Sequence, residues 1–159
     1  MRFSDVLDEG AVIVGQSWPS FEAAVRGLLE RLVGLACLPV EALETTWEMV
    51  CRREQANSTA MVDIGVSIPH VRTDAVQGIA CALAVAPRAV YEVAFGLPIS
   101  IVALVLSSPG LVTEHLEFLS SVSLVLQSER CRHELRRATS PSEVLRILRV
   151  HDGQGETLL

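Results

Sequence analysis

Lysine is absent from this chain of 159 residues, and every fixed positive side-chain charge is carried by arginine. That excludes both a lysine Schiff base and a P-loop lysine. Positive charge is also in deficit. The formal net charge is −6, which leaves no basic face for a nucleic-acid backbone. Metal-ligand spacing is missing as well: Cys37, Cys51, Cys81 and Cys131 form no CxxC or CxH pattern, so no metal site is expected. No apolar run approaches the roughly 20 residues of a membrane span. No secretory leader is visible, so the expectation is a cytoplasmic protein with reduced, mostly buried cysteines. There are no repeats and no internal linker, and nothing calls for a cofactor.

Half the residues are apolar and a fifth are charged, the balance of a globular chain long enough to bury a core. One domain is expected over residues 1–150, with 151–159 a frayed tail because it carries two glycines and no periodicity.

Along the chain, Ala11–Val14 reads as a short strand. Phe21, Ala24, Val25, Leu28, Leu29, Leu32 and Val33 repeat at helical spacing after the start signals Ser17–Ser20. Pro39 opens a second helix that runs to about Glu54. Gly78–Ala86, Val90–Phe95 and Ile99–Leu106 read as strands, the last fully buried. Thr113 is expected to cap a helix that carries Leu116, Leu119, Val122 and Leu126 inward. Another helix covers about Glu129–Ala138, and Pro141 starts the last. Two helices, several strands and further helices predict an α/β fold, a three-layer α/β/α sandwich. Its central sheet is expected to be mixed, with about four or five strands.

The stretch from Arg52 to Arg72, RREQANSTAMVDIGVSIPHVR, carries the chemistry. It ends a helix, crosses a small polar turn, and enters an apolar strand closed by Pro69, with His70 next. Proline fixes its own φ and biases Ile68 toward an extended backbone, so His70 is expected at the rigid end of a strand. A histidine there can be a general base, a metal ligand, a phosphate acceptor, or a polar residue with no chemistry. A hydrolase using it as base finds no nucleophile at a recognisable elbow or triad spacing.

Arg53-Glu54, Ser58-Thr59 and Gly65-Val66-Ser67-Ile68-Pro69-His70, in this order, resemble the signature of a known family. It is that of the type-2 IIA domains of the bacterial phosphoenolpyruvate phosphotransferase system, the fructose, mannitol and nitrogen-regulatory class. Thr113-Glu114-His115-Leu116 and Ser140-Pro141-Ser142-Glu143-Val144-Leu145 are also similar, so the resemblance spans about residues 3–150. Two of the family's turn glycines are replaced within Ala60–Ile64, and Asp63 adds a negative charge there. The resemblance implies a phosphocarrier that takes a phosphoryl group from the carrier HPr on His70. It then passes the group to a IIB component or holds it as a regulatory mark. His115 would be the second active-site histidine and Arg53 the cation that meets the phosphate, with Ser58, Thr59 and Glu54 in support.

Each role has a plainer counterpart. Arg53 can be a cation at a helix C-terminus, His115 a helix-start residue, and Glu54 the partner of an arginine. Arg72 is read as solvent-facing or at a partner interface, and His133 as part of a solvated helix face. The competing function is a non-catalytic module on the same fold that binds a protein or an anion, its turn too altered for transfer.

Overall fold

The computed structural model describes residues 1–157. A short helix α1 (Phe3–Val6) leads into strand β1 (Val12–Val14) and then α2 (Phe21–Gly34). The Ser20 hydroxyl caps α2 by accepting from the Ala23 N–H at 3.1 Å, and Ala24, Val25, Leu28, Leu29 and Leu32 form its buried stripe. Pro39 precedes a single 3-10 turn, after which α3 runs over Leu43–Ala56.

The next segment makes three short strands, β2 (Ala60–Met61), β3 (Val66–Ser67) and β4 (His70–Arg72). β5 (Ile79–Val85) and β8 (Ile101–Ser107) flank a two-stranded ribbon, β6 (Tyr91–Val93) with β7 (Leu97–Ile99). Three helices finish the chain: α4 (Val112–Leu126), α5 (Glu129–Arg137) and α6 (Pro141–Thr157).

The main sheet has six strands in the order β1-β5-β8-β3-β2, with β4 also on β8. β8 runs antiparallel to β5 and parallel to β3 and β4. All seven residues of β8 are buried, which requires cover on both faces of the sheet. α2 packs on β5 with α3 beside it, while α4 meets β8 and α6 meets β1. Each large side chain sealed in this way contributes about 1.5–3 kcal/mol. The expected α/β sandwich with a mixed sheet is what the chain forms.

Several sequence expectations change. The sheet has six strands rather than four or five, because residues 60–72 supply three of them. Val90–Phe95 does not enlarge this sheet but pairs within the separate ribbon. Ile99–Leu106 is divided at Ser100, where the chain leaves the ribbon and enters β8. Gly65 lies under this break at φ 68°, and its carbonyl accepts from Ser100 N–H at 2.8 Å and Ile101 N–H at 3.2 Å. A Cβ at Gly65 would stand 3.3 Å from the Pro98 carbonyl and the Ser100 hydroxyl, so glycine suits both the backbone and the space. Finally, α6 continues through Thr157, with His151 and Asp152 buried, so the frayed tail expected from His151 is not found over 151–157. Asp152 accepts from the N–H and the hydroxyl of Ser4 and ties α6 to α1; the tail's last two residues lie outside the described residues.

Pro69 lies in the gap between β3, which ends at Ser67, and β4, which begins at His70, but it does not shift the register. Val66 is opposite Ile101 and His70 opposite Val105, so the same register holds on both sides of the proline. Proline lacks the N–H for one ladder bond, but its carbonyl still accepts from Val105 N–H at 3.0 Å. His70 therefore opens β4 in the register already set by β3, and the pairing with β8 continues to Arg72.

Candidate functional site

Three elements converge on one cleft. The last turns of α3 bring Met49, Arg52, Arg53 and Ala56; β4 brings His70, Val71 and Arg72; the start of α4 brings His115, Leu116 and Leu119. The cleft encloses about 560 Å³. Its lining holds three arginines, two histidines and no carboxylate, although the chain as a whole is net negative. A cationic depression on an acidic protein is suited to an anion.

His70 is half-buried and bonded on both ring nitrogens. Nδ1 lies 2.8 Å from the Ile68 carbonyl, and Nε2 lies 3.1 Å from Nη2 of Arg53. A carbonyl can only accept and a guanidinium can only donate. Nδ1 therefore carries the hydrogen, and Nε2 is the bare nitrogen. Burial holds the imidazole pKa below its ordinary value; the Ile68 carbonyl opposes this, while Arg53 and Arg72 add to it. The result is an imidazole biased toward its neutral form, with its Nε2 lone pair accepting from the Arg53 guanidinium.

The His115 ring lies beside that of His70, with centroids 5.6 Å apart. It is buried, and its Nδ1 is hydrogen-bonded to the hydroxyl of Ser107 at the end of β8. Burial lowers its pKa, with His70, Arg72 and Arg53 adding to the effect. Thr113 does not cap α4. The helix starts at Val112 behind Leu111, with no side-chain cap, and His115 N–H already bonds the Leu111 carbonyl at 2.9 Å.

Among the residues read from sequence, His70, His115 and Arg53 come together, while Ser58, Thr59 and Glu54 do not line the cleft. Glu54 accepts from Ser58 Oγ at 2.9 Å, from Thr59 N–H at 2.8 Å and from Thr59 Oγ1 at 2.9 Å. Thr59 Oγ1 in turn lies 3.2 Å from Ser67 Oγ. These hydroxyls join the end of α3 to β3, the strand just before His70. The altered turn Ala60–Ile64 also stays off the cleft, and Arg136 fixes it by donating to the Ile64 carbonyl at 3.0 Å.

Two arginines of the cleft, Arg52 and Arg72, were not among the expected site residues. Period two alone places Arg72 on the face of His70, two positions earlier in the strand, so that signal was present. Among the described residues no cluster of histidine, cysteine or carboxylate side chains could hold a metal.

Residues 5–150 match the family described as phosphoenolpyruvate-dependent sugar phosphotransferase system, EIIA 2. The chain is 33% identical over 106 residues to a fructose-specific EIIABC component of Bacillus subtilis, matching 66% of this chain and 16% of that protein. It is 28% identical over 160 residues to a 2-O-alpha-mannosyl-D-glycerate-specific EIIABC component of Escherichia coli, matching 99% of this chain and 23% of that protein. The chain thus spans less than a quarter of these relatives. A nitrogen regulatory protein of Pseudomonas aeruginosa is 28% identical over 158 residues, covering 97% of this chain and 99% of that one.

The fold resembles that of nitrogen regulatory protein IIA-Ntr of Neisseria meningitidis, with TM-score 0.75 and 23% identity over 91% of this chain and 97% of that one. It also resembles IIA mannitol of E. coli, with TM-score 0.70 and 21% identity over 89% and 98%.

Proposed function

Because this chain belongs to the EIIA 2 family of the phosphoenolpyruvate-dependent sugar phosphotransferase system, we propose that it is a cytoplasmic phosphocarrier with Nε2 of His70 as acceptor. The observation that carries this reading is the opposed bonding of His70, hydrogen on Nδ1 and lone pair on Nε2 in a cleft without carboxylates.

The donor is a phosphohistidine on an HPr-type carrier. The Nε2 lone pair attacks phosphorus as the donor's P–N bond breaks, and the leaving imidazole keeps that electron pair. The Nδ1 hydrogen stays against the Ile68 carbonyl. Transfer of this kind asks for positioning and charge stabilisation more than covalent work. Arg53 gives up the lone pair of Nε2 and turns its fork to the phosphoryl oxygens, a bidentate match for such groups. Arg72, on the same strand face as His70, and His115, beside it, supply further donors. Ser58, Thr59 and Glu54 act one layer back, by holding β3 to α3.

The phosphoryl group then passes to a IIB component or remains as a regulatory mark. One related structure is a complex of IIA mannitol with phosphorylated IIB mannitol of E. coli. The test is incubation with phosphoenolpyruvate, Enzyme I and HPr, for the wild type and His70→Ala. Label on the wild type that is lost in the variant is expected. Wild-type protein that stays unlabelled would overturn the carrier in favour of a binding module, and label retained by the variant would move the acceptor to another histidine. A chase with IIB separates onward transfer from retention.

A further inference from the structure

Ser107 ends β8 with no solvent exposure, and its hydroxyl is bonded to Nδ1 of His115. Among the described residues the hydroxyl has no other hydrogen-bond partner. The six residues of β8 before it are all apolar, so a polar side chain here breaks the pattern of the strand.

A hydroxyl sealed from water has one hydrogen to place on an acceptor. A bare Nδ1 accepts it. The reverse arrangement, Nδ1–H donating to Oγ, would leave the hydroxyl hydrogen buried with nowhere to go. The remaining nitrogen of His115, Nε2, is on the far side of the ring, and it is not one of the sealed, unpartnered atoms of the molecule. His115 lines the cleft, so Nε2 is reached from there.

We infer that Ser107 is a positioning residue that fixes His115 as its Nε2–H tautomer, so that a hydrogen-bond donor faces the lone pair of His70 across the cleft. The two neighbouring imidazoles are held in opposite tautomers by different means, His70 by the Ile68 carbonyl and His115 by a serine hydroxyl. A bare nitrogen beside the acceptor would repel phosphoryl oxygens, whereas an N–H receives one. The hydrogen is shared with the phosphoryl oxygen and stays on His115. This use of the donor rests on the phosphocarrier reading, but the tautomer itself does not.

The test is nitrogen-15 NMR of histidine-labelled protein at neutral pH. His115 is expected to carry hydrogen on Nε2 and His70 on Nδ1. A His115 protonated on Nδ1, or averaging between forms, would overturn the inference. In Ser107→Ala the His115 signals should move to the averaged position, and labelling should slow on the order of tenfold, as when a group that orients a histidine is removed. In a His115→Ala background, Ser107→Ala should cost nothing more. A second tenfold loss there would make Ser107 merely structural and overturn its role. If wild-type protein takes no label, the carrier reading fails, while the NMR result still decides for or against Ser107.

Discussion

Arg53 and His70 meet where the last turn of α3 faces the first residue of β4, with Nη2 of one 3.1 Å from Nε2 of the other. In the resting protein the guanidinium occupies the lone pair that the proposed reaction uses, so it guards the nucleophile before serving the phosphate. Arg53→Ala should slow labelling about 10²-fold or more, the usual cost of removing a donor aimed at developing charge. Arg53→Lys should restore little of this, because an ammonium has no planar fork. Arg53 is exposed, so its removal should leave urea unfolding nearly unchanged. Labelling at the wild-type rate in Arg53→Ala would remove Arg53 from the site.

The two histidines make a second prediction, about pH. Burial depresses the pKa of both in the folded chain. The unfolded imidazoles charge near pH 6.5, so below that value the unfolded state binds more protons than the folded one. Stability should therefore fall as pH drops from about 6.5 toward the lower folded values. Glu143, depressed by its bonds from Thr139, loses its share only further down, below the ordinary carboxylate range. Urea unfolding at pH 7 and 5.5 would measure the loss, and replacing both histidines with glutamine should flatten it. An equally steep fall in that double variant would place the proton uptake elsewhere.

The hydroxyl network around Glu54 gives a third. Thr59→Val removes the bond to Glu54 Oε2 and the contact with Ser67. A cost of about 1 kcal/mol is expected in urea unfolding, with labelling slowed less than by Arg53→Ala. A Thr59→Val protein as slow as Arg53→Ala would mean that the threonine touches the phosphoryl group.

His70 stood out locally, at the proline before it, whereas Arg53 and His115 were marked by the family resemblance, since a helix end and a helix start alone read as ordinary cap positions. Helix periodicity revealed α2, but on α4 it turned Leu116 and Leu119 inward. Leu116 is 58% exposed and Leu119 half-buried, and the buried stripe runs through His115, Phe118, Val122, Val125 and Leu126. What stayed hidden depends on partners distant in sequence. Thr59 reads as a free donor until Glu54 is seen to hold it, and Ser107 reads as the end of an apolar run until His115 packs against it. Pro69 reads as a stop because its missing N–H is a local fact, whereas the unchanged register along β8 is not. The family's turn glycines are replaced within Ala60–Ile64, and among the described glycines Gly65 alone stands where a Cβ would meet a backbone atom, the Pro98 carbonyl at 3.3 Å.

The end of α6 yields the last prediction, and it corrects the same kind of misreading. Two glycines and no periodicity suggested fraying after His151, but Asp152 is buried and receives the Ser4 N–H at 2.9 Å and the Ser4 hydroxyl at 2.5 Å. A buried carboxylate with two donors holds the first and last helices together, and the four-residue α1 is too short to be fixed by its own turn. Asp152→Ala should cost about 2 kcal/mol, because it strands both donors of Ser4. Ser4→Ala should cost less, as the backbone N–H remains. The double variant should be close to Asp152→Ala alone, since the hydroxyl of Ser4 has no partner left to lose. Full additivity in urea unfolding would show that the two residues act independently, and that the tail is anchored by apolar contact instead.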